Sequence, residues 1–213
     1  QGINAFVGNN GGTASQVGLL LNDVQFALAL LTEQDVATGS TARTWSSLQG
    51  AAGDAGFVGI TGLTVAASNL AIELNKASTD GLVVDYAAQQ LTVSTGISSA
   101  DEPSSITLTM DGQQGELKRA SGEMAIDLFG FMQVTGEFAL EQKDQIIKTY
   151  NTDATSSSVD TRLLTLGAND ATAFVGVNGG ESNAMGFQAT GVEFGLAMFS
   201  EKASTAQGAD NSH

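Results

Sequence analysis

Cysteine is absent from this chain, and histidine occurs only once, as the last residue, His213. Without cysteine there are no disulfides, no thiolate metal sites and no cysteine nucleophiles. Without an internal histidine, Ser-His-Asp and Cys-His catalysis are excluded, together with zinc and copper sites built from their usual ligands. The sequence therefore assigns no catalytic, no cofactor-binding and no metal-binding residue, and we expect that the protein is not an enzyme.

Basic residues are also scarce, since 8 Lys and Arg stand against 23 Asp and Glu, for a net charge of −15. Such a surface repels nucleic acid and anionic lipid headgroups, so neither is an expected partner. The most apolar stretch, residues 17–31, is interrupted by Asn22, Asp23 and Gln25 and is too short to span a bilayer. Residues 1–4 carry no basic charge, so we expect no signal peptide at this point of the chain.

What the sequence does contain is a repeat. Residues 5–33 return as residues 173–201 at a constant offset of 168, without a gap, and 13 of the 29 positions are identical. Repeats of this kind are typical of extended, architectural proteins. We interpret residues 1–168 as one repeat unit built of smaller strand pairs. Residues 169–213 are then the start of a second copy, which we expect to complete a sheet with a neighbour.

The two copies together distinguish strand from helix in residues 17–31. In the first copy, both a helical stripe and a strand alternation fit the apolar residues. The second copy places Gly186, Gly191 and Gly195 in this stretch, and each glycine costs about 1 kcal/mol inside a helix. The alternation of Val192 and Phe194 survives, so the prediction is a strand.

Apolar alternation and turn residues predict the rest of an all-β fold. We expect an elongated, repetitive antiparallel β-structure with few or no helices, arranged as an extended sheet, a sandwich or a solenoid. Further strands are predicted at 82–86, 90–95, 105–110, 145–150 and 162–166. Stretches rich in Ser, Thr, Gly and Asp predict loops at 33–53 and 96–105, and residues 151–160 are either a long loop or a boundary between units.

Two pairs of carboxylates are candidate glycosidase residues. The pairs Glu123/Asp127 and Glu137/Glu141 are each four residues apart, which on a strand separates them by roughly 13 Å. Catalytic carboxylates need about 5–9.5 Å, so neither pair suffices by itself, and only a pairing across strands could serve. We interpret these acids as the solvated face of strands whose other face is apolar.

Calcium and carbohydrate are two candidate ligands. Asn10 and Asn178 are equivalent in the repeat, but Glu181 corresponds to Thr13 and Asp170 to Gly2. A calcium site needed by every unit would keep its carboxylates in both copies, so no cofactor is assigned, although diffuse or inter-subunit calcium binding stays open. Trp45 is expected to anchor a loop by packing, with sugar stacking as the alternative.

Two segments carry a resemblance to a class of known proteins. The stretches ASGEMAIDLFGFMQVTGEFALEQK (120–143) and AFVGVNGGESNAMGFQATGVEFGLAMFSEK (173–202) resemble repeats of very long, acidic, cysteine-free bacterial proteins that are secreted or surface-attached. The resemblance implies a structural or adhesin-like module of an extracellular fibre or stalk, which associates with itself or with neighbouring repeats. It transfers no functional residue.

A second hypothesis belongs to a different class of function. A long sheet with apolar alternation could curl into a groove and bind a hydrophobic ligand, or bind carbohydrate. Lipid that co-purifies with the protein in native mass spectrometry would favour this binding module. Concentration-dependent assembly without lipid would favour the fibre.

Overall fold

The computed structural model describes residues 2–96 and 105–202, and most of them belong to β-strands. The strands are β1 (Ile3–Asn9), β2 (Val17–Thr32), β3 (Thr44–Val58), β4 (Leu63–Lys76), β5 (Leu91–Ser94), β6 (Ser105–Leu108), β7 (Leu117–Leu128), β8 (Met132–Tyr150), β9 (Ser156–Val177) and β10 (Met185–Glu201). One 3-10 turn, Gly112–Gln114, precedes β7. The predicted all-β class is confirmed.

Eight strands form one antiparallel sheet in the order β1-β2-β3-β4-β7-β8-β9-β10. Neighbouring strands of the sheet follow one another along the chain as hairpins, except at β4 and β7, which are separated by residues 77–116. This meander is the extended sheet among the three predicted architectures. The boundary expected near residue 168 lies inside β9, and the sheet continues through it.

An insert between β4 and β7, residues 77–116, folds over one face of the sheet. It contains the two-stranded sheet β5-β6 and contributes Tyr86, Leu108 and Met110 to the main buried cluster. The sheet contributes Ala27, Ala29 and Leu117 to the same cluster. Small alanine side chains on β2 leave room for the larger side chains of the insert, so the core of this molecule lies between the insert and one part of the sheet.

Four predictions about loops and strands are corrected or bounded by the structure. Residues 44–53, predicted as part of a loop at 33–53, form most of β3, because a central strand buried under the insert tolerates Ser, Gly and Ala. Residues 82–86, predicted as a strand, are irregular. Residues 151–160 contain only a short turn before β9 begins at Ser156, so they form neither a long loop nor a boundary. Most of the predicted loop at 96–105 lies outside the described residues.

The other predicted strands are confirmed. The stretch 17–31 is β2, and 90–95 and 105–110 contain β5 and β6. The stretches 145–150 and 162–166 are parts of the longer strands β8 and β9.

Several long strands change phase near their middle. Asp23 in β2, Asn69 in β4, Asp170 in β9 and Gly191 in β10 have left-handed backbone conformations, with φ between 48° and 62°. Register shifts accompany them between β1 and β2, β4 and β7, β8 and β9, and β9 and β10. An extra residue in a strand reverses which alternate positions face each side. The same face of β2 therefore shows odd-numbered residues before Asp23 and even-numbered residues after it.

The repeat in the sequence is a repeat in space. The β1-β2 hairpin stands at one edge of the sheet and the β9-β10 hairpin at the other. Phe6 pairs with Leu20, and Phe174 pairs with Gln188, which is the same register shifted by 168 residues. The turns agree as well, because Asn10 and Asn178 have φ of 55° and 56°. The sheet therefore begins and ends on the same structural unit.

Candidate functional site

The sheet has two faces of opposite chemistry, and β7 defines them. The pairing of β7 with β8 is unbroken from Leu117 to Leu128. Odd- and even-numbered residues of β7 therefore lie on opposite faces of the sheet. Leu117 is buried beneath the insert. The odd-numbered face of β7 is therefore the insert side, which we call the polar face, and the opposite side is the apolar face.

The apolar face carries rows of large hydrophobic side chains across all eight strands. Directly opposed residues on neighbouring strands share a face, so the register gives each row. The hydrophobic members of the rows are Leu28, Leu48, Leu74, Leu164 and Met198; Phe26, Ile72, Leu140, Leu166 and Leu196; Val7, Leu19, Phe57, Val65, Ile126 and Val134; and Leu63, Leu128, Met132, Val175 and Phe187. The first of these rows also contains Lys118 and Gln142, between Leu74 and Leu164. Many of these side chains are exposed, and Phe187 is 75% exposed.

The polar face carries acidic residues in a band across the middle of the sheet. Asp54, Ser68, Glu123, Glu137 and Asn169 follow one another on neighbouring strands in a single row. Glu123 accepts hydrogen bonds from Ser68 Oγ at 3.2 Å and from Asn69 Nδ2 at 3.1 Å. Asn169 Nδ2 donates to Glu137 at 2.9 Å. The amide and hydroxyl donors offset the repulsion between neighbouring carboxylates.

The carboxylate pairs weighed from the sequence fall into different neighbourhoods. Glu123 lies directly opposite Glu137, so the cross-strand pairing that the sequence left open does occur. Glu141 and Asp127 have other partners, because Glu141 binds Arg119 and Asp127 accepts from Gln133 Nε2 and from the Gly130 amide. The Glu123 and Glu137 side chains line an open depression, with donors already bound to both carboxylates.

An ion cluster on the polar face joins three adjacent strands to the insert. Arg119 Nη1 lies 2.7 Å from Glu73 Oε2, and its Nε lies 2.7 Å from Glu141 Oε2. Arg119 Nη2 also donates to Gln114 of the insert at 3.0 Å. Burial opposes the ionisation of Arg119, but the Glu141 and Glu73 carboxylates outweigh it and raise the pKa of Arg119. Burial likewise opposes the ionisation of Glu141, yet Lys143 and Arg119 lower its pKa.

A buried hydrogen-bond chain fixes the insert to the sheet. Tyr86 Oη donates to Ser47 Oγ at 3.0 Å, and Ser47 Oγ donates to Asn75 Oδ1 at 3.0 Å. Asn75 Nδ2 in turn donates to the Val84 carbonyl at 2.8 Å. The side chains of Tyr86, Ser47 and Asn75 therefore all have hydrogen-bond partners. These directional bonds position the insert on the sheet, in addition to packing.

Asp85 organises the backbone of the insert. Its Oδ1 accepts from the amides of Gly112, Ala88 and Ala87 at 3.2, 3.1 and 3.1 Å. The bond from Gly112, followed by those from Ala88 and Ala87, lowers the pKa of Asp85. Because the folded value is below the unfolded value of about 3.9, ionised Asp85 stabilises the fold above that pH. This stabilisation is lost as the pH falls through the lower folded value.

We therefore expect Asp85→Asn to be less stable than the wild type at pH 7. We also expect it to lose less stability than the wild type between about pH 5 and pH 2, because the titrating carboxylate is gone. Urea unfolding midpoints at pH 7 and pH 3 measure both effects. Asp35→Asn, which removes the same charge from an exposed loop, is the matched control. An equal acid sensitivity of Asp85→Asn and wild type would contradict the assigned role.

Trp45, which the sequence predicts to anchor a loop by packing, is bound to the insert by a hydrogen bond. Trp45 is the second residue of β3 and pairs with Leu31 of β2. Its indole Nε1 donates to the Leu82 carbonyl at 3.0 Å. Next to it, Arg43 joins Glu33 at 3.0 Å and Asp80 at 2.8 Å. Trp45 and Arg43 together attach the insert to the end of the β2-β3 hairpin.

Of the residues considered for calcium, Asn178 and Glu181 share the β9-β10 turn, where the Glu181 amide donates to the Asn178 carbonyl at 3.1 Å, and the others lie elsewhere in the fold. Asn10 and Asn178 lie in turns at opposite edges of the sheet, and Asp170 lies within β9. Across residues 2–96 and 105–202, no three His, Cys, Asp or Glu side chains are grouped so that they could hold a metal ion. Among the same residues, no helix has the length and apolar character needed to cross a membrane.

The two edges of the sheet are the remaining candidate surface. Within the described part of the chain, β10 pairs with β9 on one side and with no strand on the other. In the equivalent hairpin, β2 has β1 on one side and β3 on the other. The β2-β3 pairing runs from Gly18 opposite Val58 to Thr32 opposite Thr44. An edge strand presents a row of backbone donors and acceptors that another strand can bind.

Comparison with known proteins adds no further constraint. No protein-family model matches the chain, and neither a curated protein nor a solved structure matches it. The candidate surfaces therefore rest on the geometry of the sheet.

Proposed function

We propose that this chain is a structural module in which one antiparallel sheet is extended from repeat to repeat. The observation that carries the proposal is the equivalence of the two edge hairpins, β1-β2 and β9-β10, in sequence and register. A sheet that ends on the unit with which it begins can continue by the same pairings. The resemblance to long secreted or surface-attached bacterial proteins supports an extracellular fibre or stalk as the setting.

The partner of β10 in such an assembly is a strand like β3. Since β10 is the counterpart of β2, the β2-β3 register transfers directly, and it places Leu196 opposite the equivalent of Leu48. Phe26 and Leu28 of β2 lie directly opposite residues of β3. The equivalent positions of β10 carry the same residue types, as Phe194 and Leu196.

One steric detail of the β2-β3 pair supports this assignment. Phe26 lies opposite Gly50, and a Cβ on Gly50 would lie 3.0 Å from Phe26 Cβ. The glycine leaves space for the aromatic residue on the neighbouring strand. Phe194 on β10 needs a partner with the same space, and a β3-like strand provides it in the same register.

A peptide with the β3 sequence, residues 44–58, tests the proposal. We expect this peptide to slow amide hydrogen exchange in β10 by about tenfold or more, because it pairs with the open edge. Hydrogen exchange measured by mass spectrometry resolves β10 from the interior strands. A peptide of the same residues in scrambled order is the control. Equal protection by both peptides, or none by either, would contradict the proposal.

A further inference from the structure

From the apolar face, we infer that two copies of this chain pack face to face, so that their apolar faces form the interior of a two-layer β-sandwich. This association is separate from the extension of the sheet at its edges. It uses side chains on one face, whereas edge extension uses backbone groups of β10.

The exposure of the apolar face requires an explanation. On β10 alone, Phe187 is 75% exposed and Leu196 is 47% exposed, and Val175 on β9 is 60% exposed. The insert covers the polar face, so it buries none of these side chains. Soluble monomers rarely leave contiguous apolar patches larger than a few hundred Å² uncovered. A surface of this kind is expected to bind an apolar partner surface.

The area of the face suits a stable dimer. Eight strands spaced about 4.8 Å apart make the sheet about 38 Å wide. The 12 residues of β7, at about 3.4 Å each, give a length of about 40 Å. The resulting ~1,500 Å² exceeds the ~800 Å² that each partner contributes to an interface of standard size.

The distribution of charge favours a second copy as the occupant. Acidic strand residues such as Glu73, Glu123 and Glu137 lie on the polar face, so a face-to-face pair keeps these carboxylates on its outer surfaces and buries none of them. The charged residues of the apolar face are of both signs and lie toward one end of it, where Asp144 Oδ2 binds Lys202 at 2.7 Å. Two sheets of the same twist pack about 10 Å apart with their strands nearly aligned.

Two double-lysine variants test the inference. Their substituted positions differ by one residue on each strand, which places the lysines on opposite faces of the sheet. Leu140→Lys with Leu196→Lys puts two charges on the apolar face. Ala139→Lys with Ala197→Lys puts the same charges on the polar face of the same two strands. Burying unpaired ammonium groups is strongly unfavourable, so only the first variant removes the interface.

Sedimentation equilibrium at several concentrations gives the result. We expect wild type and the polar-face variant to form a species of twice the 21.7 kDa chain mass. We expect the apolar-face variant to dissociate about 100-fold more readily or worse. An excess of the 44–58 peptide, which occupies the β10 edge, should leave the wild-type dimer unchanged. A monomeric wild type, or equal dissociation of the two variants, would overturn the inference. A monomer that co-sediments with phosphatidylcholine vesicles would overturn it in favour of lipid.

Discussion

Leu108→Ala lowers the free energy of unfolding by about 2–5 kcal/mol, the largest effect we expect from a single side chain. Leu108 has no exposed surface and packs with Tyr86, Met110 and Leu117 in the main buried cluster. This cluster joins the insert to the sheet, and it is small, so the cavity left by the truncated side chain has few neighbours that could close it. The insert should therefore loosen before the sheet does.

Urea titration followed by two signals measures this effect. Circular dichroism reports the sheet, while the fluorescence of Trp45, the only tryptophan, reports the insert through its bond to Leu82. Leu82→Ala is the matched control, because Leu82 belongs to the same insert but is 51% exposed. We expect the control to cost less than about 1 kcal/mol. Equal losses in Leu108→Ala and Leu82→Ala would show that the insert is not held by this cluster.

Gly18→Ala opens the β1-β2 hairpin and costs about 1–3 kcal/mol. Gly18 lies opposite Gly8, and a Cβ on Gly18 would lie 2.3 Å from the Val7 carbonyl oxygen and 2.7 Å from Gly8 Cα. These contacts are with backbone atoms, which cannot move away as a flexible side chain could. The Phe6 ring lies over the same position, at 3.0 Å.

The equivalent change at the other edge is the strongest check on this result. Gly186 pairs with Gly176 beneath Phe174, and a Cβ there would lie 2.4 Å from the Val175 carbonyl oxygen. Gly186→Ala should therefore lower stability by a similar amount. Gly195→Ala is the control on the same strand, since a Cβ there meets no atom within 4 Å, and we expect a change within about 0.5 kcal/mol. Hydrogen exchange of each hairpin locates the loss. A neutral Gly186→Ala would show that the two hairpins are not equivalent.

The strands of this fold were predictable where the repeat added information. Residues 17–31 fit both a helix and a strand in the first copy, and the glycines of the second copy decided between them. The turns of the two hairpins were equally predictable. Asn10 and Asn178 are equivalent positions of the repeat, each followed by two glycines, and asparagine and glycine tolerate the left-handed backbone found there.

The sequence was less informative where tertiary contacts override local preference. Residues 44–53 are rich in Ser, Gly and Ala, which do not favour strands, yet they form a central strand bonded on both sides. Val84 and Tyr86 alternate like a strand, but Tyr86 is held by its hydroxyl bond to Ser47 in an irregular segment. In both segments the deciding partner is distant in the sequence.

The sequence predicted only part of the division of the sheet into two faces. The sequence indicated that acids such as Glu123 and Glu137 lie on the face opposite the apolar residues, but it could not pair the two strands. Their direct opposition depends on the tight β7-β8 turn. The change of phase at Asp23 and Asp170 does leave a sequence signal, because the apolar alternation moves from odd to even positions across Asp23 and from even to odd positions across Asp170. Reading that shift would have aligned both halves of each strand to one apolar face.

The register of the β10 edge is the most direct test of sheet extension. Because the chain has no cysteine, a single cysteine introduced as Leu196→Cys has no competitor. Directly opposed strand residues have Cα atoms about 4.5–5.5 Å apart, within the range that a disulfide bridges. Leu28→Cys with Leu48→Cys in one chain supplies the reference cross-link of the β2-β3 register.

The measurement is the rate of disulfide formation between the Leu196→Cys chain and 44–58 peptides that carry one cysteine each. We predict that the peptide with cysteine at position 48 cross-links about tenfold faster or more than peptides with cysteine at 47 or 49, which place the thiol on the other face. Equal rates for the three peptides, or a preference for 47 or 49, would contradict the account that β10 continues the sheet as β2 does.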